Sequence, residues 1–247
     1  MVLPDVHLPF EDKATMRAVE SYIADHKWDG WLQLGDLIDF NELSRFEAGN
    51  NRLDKTGSIL KSYAATEAFL DRHRAIIGKK ARMVVIEGNH EDRITQYLEK
   101  NPEGVGMLEV PKALEFKRRK IEWVPFWSHG DLFRLGNAYF CHGRATGKNH
   151  TAKMLDKYMV CLYMGHLHDV QVTSKAIWGE NKTLEAATLG CLCRYDQTYL
   201  RGNPTNWMQG FGVFHIWPSG FYQHYTVRIF NHSFVSPEGK AYGNHRR

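Results

Sequence analysis

Three short apolar runs, each closed by a polar cluster, set the rhythm of the first two thirds of the chain: "WLQLGD" (31–36), "MVVIEGNH" (83–90) and "MVCLYMGH" (159–166). Apolar runs this short that stop at polar residues read as buried strands. Between them the period changes. Over 13–27 a helical spacing puts Ala18, Val19, Tyr22, Ile23 and His26 on one face, and 57–77 does the same with Ile59, Tyr63, Phe69, His73 and Ile76. Strands alternating with helices predict an α/β sandwich whose polar residues collect at the carboxyl ends of the strands. The last third differs. "QVTSKAI" (171–177), "LEAATLG" (184–190), "GVFHIW" (212–217) and "FYQHYTVRIF" (221–230) are rich in β-branched and aromatic residues, with Gly, Pro and Asn between them. They predict an antiparallel second sheet packed on the first. From Asn231 onward little apolar patterning remains, so one domain over 1–230 is expected to carry a loosely held tail, 231–247.

The 43% hydrophobic content of the 247 residues is enough for a sizeable core. Lys and Arg exceed Asp and Glu by 32 to 28, a mild tilt toward anionic partners and no nucleic-acid signature by itself. No apolar run approaches the ~18 residues of a membrane span, and "MVLPDVHLPF" lacks the layout of a signal peptide, so a soluble, cytoplasmic protein is expected. Cys141, Cys161, Cys191 and Cys193 fit a reducing compartment. One residue separates Cys191 from Cys193, poor spacing for a structural zinc site, and both are expected to be buried thiols.

Two histidines in "YMGHLHDV", His166 and His168, stand two apart just after a strand. Side chains alternate faces along a strand, so both reach one centre only if the backbone turns, and Gly165 reads as that turn. Further polar residues stand in order at the other strand ends: Asp5 and His7 in "PDVH", Asp36 and Asp39 in "LGDLID", Asn89 and His90 in "EGNHE", and His142 in "FCHG". A set of imidazole, carboxylate and amide donors without a thiolate suits two divalent ions such as Mn, Fe or Zn.

As a set, D-x-H, G-D-x-x-D, G-N-H-[DE], H-G and G-H-x-H over residues 5–168 resemble the calcineurin-like metallophosphoesterase superfamily. The resemblance implies a four-layer αββα sandwich with two mixed sheets. It implies that Asp5, His7, Asp36 and His168 hold one metal and Asp36, Asn89, His142 and His166 the other, with Asp36 bridging through its two oxygens. On that resemblance, the two ions would activate a water as the nucleophile for an in-line attack on phosphorus. The resemblance further implies that His90 faces the leaving oxygen as proton donor or charge stabiliser, oriented by Asp39. Manganese is the expected metal, with iron or zinc as alternatives. The wording of "GNHEDR" and "GDLIDFNELSRF" is most similar to small phage and bacterial members, implying a bacterial host.

Two features depart from the family pattern. Only four residues precede Asp5, so the first strand is short or the sequence begins late. Phe40 follows Asp39 where the Ser/Thr protein phosphatase branch carries an arginine. Candidate phosphate or substrate contacts are Asn41, Arg45, Arg93 and Arg144, and Trp207 is a candidate for base stacking along with Trp178, Tyr195 and Tyr199. The run "KALEFKRRK" (112–120) could track a polynucleotide or be a solvated helix face. Three readings follow: a phosphodiesterase on DNA, RNA or nucleotides, a phosphomonoesterase, and a non-catalytic scaffold, which the filled ligand positions disfavour. Some relatives of the nuclease branch are dimers, so a homo-oligomer is allowed.

Overall fold

Alternation on the strands decides the architecture. In the structure, a computed structural model that describes residues 1–44, 58–197, 200 and 202–244, successive residues of each central strand enter two different cores. Chain order runs β1 (Val2–Leu3), α1 (Lys13–Ala24), β2 (Gly30–Gln33), α2 (Ile59–Ile77), β3 (Arg82–Ile86), α3 (Asp92–Leu98), α4 (Val110–Ala113), α5 (Phe116–Arg119), β4 (Ile121–Val124) and α6 (Phe126–His129). It continues with β5 (Phe133–Leu135), β6 (Ala138–Cys141), α7 (His150–Tyr158), β7 (Leu162–Met164), β8 (Val172–Ile177), β9 (Lys182–Thr188), β10 (Gln209–Ile216), β11 (Tyr222–Ile229), β12 (Phe234–Val235) and β13 (Ala241–Tyr242). Leu3, Trp31, Met83 and Val85 pack on the helical side with Val19, Tyr22, Phe69 and Leu70. Their neighbours Val2, Leu32, Val84 and Ile86 pack instead with Phe140, Leu162, Met164 and Ala186 of the other sheet. That period of two, with both faces buried, is why these runs read as continuously apolar.

The chain is a mixed α/β protein with two large mixed sheets. One has the order β11-β10-β1-β2-β3-β4 and the other β5-β6-β7-β9-β8. β1 to β4 are mutually parallel, as are β6 and β7, so the loops that leave β1, β2, β3, β6 and β7 gather at one edge of the sandwich. The helices begin where the sequence supplies a cap. Asp12 accepts the amides of Ala14 and Thr15 at α1, and Ser58 accepts that of Lys61 at α2.

The last third does not form one sheet. β8 and β9 join the second sheet, whereas the β10–β11 hairpin pairs with β1 and completes the first, Val2 standing opposite Gly212. The tail is also better held than its composition suggests. Over 231–244, β12 and β13 pair, and Phe234 and Tyr242, both about 5% exposed, pack on Tyr22 of α1.

The basic run 112–120 lies at the end of the first sheet opposite the gathered loops, preceding β4 at the amino end of the parallel strands. Arg118 pairs with Glu115, and Arg119 with Glu67 and Asp71. Among the described residues, no helix is long and apolar enough to cross a membrane.

Candidate metal centre

The loop backbones at the gathered edge are bent sharply. Asp5, His7, Asp36, His166 and His168 all have positive φ, from 32° at Asp5 to 78° at His166. Non-glycine residues in this region typically cost about 1–3 kcal/mol each and persist only where surrounding contacts fix them. Those contacts are present. His7 N donates to Asp36 O at 2.9 Å, Leu192 N to Asp5 O at 2.9 Å, and Met208 N to His168 O at 2.7 Å. Gly165 is not the turn itself, since the left-handed residues are the two histidines that follow. It is a glycine because a Cβ there would overlap the Asp5 carboxylate, which accepts the amide of His166 at 2.9 Å. Gly88 has a similar role, a Cβ there overlapping Asp36.

Two groups of side chains result. In the first, His168 Nε2 is 3.0 Å from His7 Nε2 and 3.3 Å from Asp5 Oδ1, with Asp36 Oδ2 3.7 Å from His7 Nε2. In the second, His142 Nε2 is 3.2 Å from Asp36 Oδ2, 3.0 Å from Asn89 Oδ1 and 3.2 Å from His166 Nδ1. Asp36 belongs to both through one oxygen, Oδ2. Its Oδ1 accepts the His90 amide at 2.9 Å. His166 and His168 face different groups.

Protonation within the two groups is complementary. Burial and the His90 charge lower His7, and burial with His142 nearby lowers His166 to about 4, so both rings are neutral at pH 7. Burial also works against charge on His142 and His168, but Asp36 raises His142 to about 9, and the Cys193 sulfur and Asp5 raise His168 to about 10. Each group thus places one N–H against one imidazole lone pair, with a carboxylate alongside. Burial opposes ionisation of Asp36 too, yet the facing imidazoles hold it well below the usual carboxylate range. A proton stands where lone pairs and a carboxylate oxygen converge, the arrangement a divalent ion would share. The residues fit two such ions.

Supporting contacts orient the donors. Asp39 Oδ2 accepts His7 Nδ1–H at 2.8 Å, which turns Nε2 of His7 to the centre, as carboxylate partners of ligating histidines do. His90 is tied to Asp39 mainly through its backbone carbonyl, 2.7 Å from Nδ1, with the carboxylate at 3.4 Å. Arg93 Nη2 lies 3.1 Å from His90 Nε2, and its Nη1 donates to Asp39 O at 2.8 Å. A guanidinium only donates, so His90 accepts at Nε2 and carries its proton on Nδ1 in this arrangement. Burial opposes charge on His90, but Asp36 and Asp39 raise its proton affinity.

The remaining candidates are dispersed. Arg144 stacks over Phe126 and Trp127, 5.2 and 5.0 Å from their centroids, and donates to both backbone carbonyls, so it braces α6. Trp207 sets its ring edge-on to His168 at 4.2 Å, and Tyr195 lies beside it. Asn41 opens the short turn Asn41–Leu43 after Asp39. Phe40 is fully buried against Tyr63 and points away from the centre. Trp178 is fully exposed at the β8–β9 turn, while Arg45 and Tyr199 lie outside the described residues.

Single-sequence reading missed three residues. Glu91 is buried and accepts the amides of Asp36, Ile38 and Gly88, each at 2.9 Å, stapling two ligand loops together; the [DE] of the G-N-H-[DE] motif was its signal. Cys193, a buried thiol as expected, sits 4.0 Å behind His168 Nδ1. Trp127 packs on His142 and His166 and had no signal.

The chain is 25% identical over 228 residues to the Gene 54 proteins of Mycobacterium phages D29 and L5, covering 86% of this chain and 87% of each relative. A single mutant of Vps29 from Entamoeba histolytica aligns with a TM-score of 0.44 and 12% identity over 97% of this chain and 94% of that one. The calcineurin-like phosphoesterase model matches residues 1–184, the part that holds every residue of the two groups. The chain therefore belongs to the calcineurin-like phosphoesterase family, whose members are dinuclear metal-dependent phosphoester hydrolases.

Proposed function

We propose that this hydrolase is a phosphodiesterase acting on nucleic-acid or nucleotide diesters, with Asp5, His7, Asp36 and His168 holding one divalent ion and Asp36, Asn89, His142 and His166 the other. Manganese is the metal proposed, since a mixed nitrogen and oxygen donor set accepts it readily. When bound, two such ions activate water and neutralise charge on the phosphoryl group. The chain does the rest. The bent loops hold the donors in place before substrate arrives, and Asp39 fixes His7 and His90 at their Nδ1 atoms. On this reading His90, protonated at Nε2, gives a proton to the leaving oxygen, which requires Arg93 to release that nitrogen and turn to the phosphoryl group.

The observation that carries the diester reading is that, among the described residues, few side-chain cations stand beside the centre: Arg93 and Lys100 line the cleft next to it. Of these, Arg93 contacts His90, and its guanidinium is already engaged with the Asp39 and Phe40 carbonyls. A diester, with one negative charge and two substituents, needs less charge compensation and more wall than a monoester dianion. Metal-stripped protein reloaded with Mn²⁺ is expected to hydrolyse bis-p-nitrophenyl phosphate faster than p-nitrophenyl phosphate and to degrade single-stranded DNA. Faster monoester cleavage would replace this reading with a phosphomonoesterase.

A further inference from the structure

We infer that the cleft between α3 and α6 is a subsite for an aromatic base carried by the substrate, so that the ligand it takes is a nucleoside phosphate. This rests on the phosphodiesterase reading and names the part of the substrate that lies beside the reacting phosphorus. A cavity of about 390 Å³ is bounded by Asn89 and His166 of the centre on one side and by Arg93, Tyr97, Lys100 and Trp127 on the others. Its volume falls within the range of small-molecule sites, and it opens directly on residues of the second group.

The walls have the chemistry of a base site. Trp127 is partly exposed to the cavity and held rigidly: its ring packs at 5.5 Å on His166 and 6.0 Å on His142, and Arg144 stacks on it at 5.0 Å. A ring fixed in this way loses little freedom when a flat ligand lies against it. Tyr97 supplies a second aromatic surface, and Gln96 and Ser44 supply polar groups able to meet the edge of a heterocycle. Lys100 and Arg93 make the same cavity attractive to an anion. Aromatic wall, amide and hydroxyl edge, and cations beside a phosphoryl site together match a nucleotide better than a simple alkyl or sugar phosphate. Trp127 packs on His142 and His166 of the second group, so Tyr97 is the wall residue at which base recognition and metal holding are separable.

The test compares two ligands that share a phosphate and a ribose. With the full-length Mn²⁺-loaded protein, isothermal titration with adenosine 5′-monophosphate and with ribose 5-phosphate should show the nucleotide bound about tenfold more tightly, the typical effect of one stacked base. Tyr97→Leu, a change on a partly exposed helix face, should shrink that gap toward unity, and Trp127→Leu should do so more strongly if the variant folds. Equal affinities in the wild type, or a gap that survives Tyr97→Leu, would overturn the inference. The binding comparison does not depend on turnover. Absence of bis-p-nitrophenyl phosphate hydrolysis would remove the phosphodiesterase reading while leaving the base site to stand or fall on the two affinities.

Discussion

Asn in place of Asp36 is expected to leave a folded protein whose phosphoester hydrolysis falls by more than about 10⁴-fold, beyond the usual loss of a general acid or base. The substitution isolates charge from shape. Asn tolerates positive φ at least as well as Asp, so the backbone at φ 53° is not disturbed, and an amide oxygen can still accept the His90 amide. What disappears is the anion at Oδ2, which faces His7 at 3.7 Å and His142 at 3.2 Å and belongs to both groups. With one formal charge gone from the point of overlap, neither group keeps its ion tightly. Steady-state rates over a Mn²⁺ titration check this; a variant restored to wild-type rate by excess metal would show that Asp36 contributes affinity alone.

Gly165→Ala is expected to be nearly as damaging, although the residue offers no chemistry. An added methyl would occupy the space of the Asp5 carboxylate, so either that carboxylate or the His166–His168 loop must move. Overpacking of this kind costs about 1–3 kcal/mol. For a chain of this size that corresponds to a fall in Tm of roughly 2–12 °C. A displacement of about 1 Å at a reacting centre costs on the order of 10²-fold in rate. Differential scanning calorimetry together with kcat/KM reads both effects. A stable variant with wild-type kinetics would mean that the Asp5 to Gly165 contact is not needed.

Much of the centre was legible because each donor directly follows a buried strand, where an apolar run stops at polar residues: Asp36 after β2, Asn89 and His90 after β3, His142 after β6, and His166 and His168 after β7. Sheet membership was not legible. A hairpin such as β10–β11 has the same alternation whichever sheet it joins, and only the two-residue β1, with its other edge taken by β2, determines that it completes the first. The tail misled for a related reason. Phe234 and Tyr242 are too sparse to form a pattern, although the Pro-Glu-Gly turn between them marks a hairpin, and their burial depends on Tyr22 more than 200 residues away. Arg144 was misread because its position beside His142 in sequence says nothing of the aromatic pair under its guanidinium. Tyr97 and Trp127 reach the cleft from separate helices with no shared motif.

The two groups themselves give the most direct test. In the metal-free protein His142 and His168 carry protons to about pH 9 and 10, and a ligating imidazole must be neutral, so each ion displaces one proton at neutral pH. Metal affinity should therefore rise as pH increases from 7 toward 9, where these protons begin to leave unaided. Calorimetric titration of Mn²⁺ into stripped protein at pH 7, repeated in buffers of different ionisation enthalpy, counts ions and protons together. The account predicts two ions bound per chain with at least two protons released, one each from His142 and His168, and a further one where the ions ionise a water. One ion, or two bound without proton release, would contradict it.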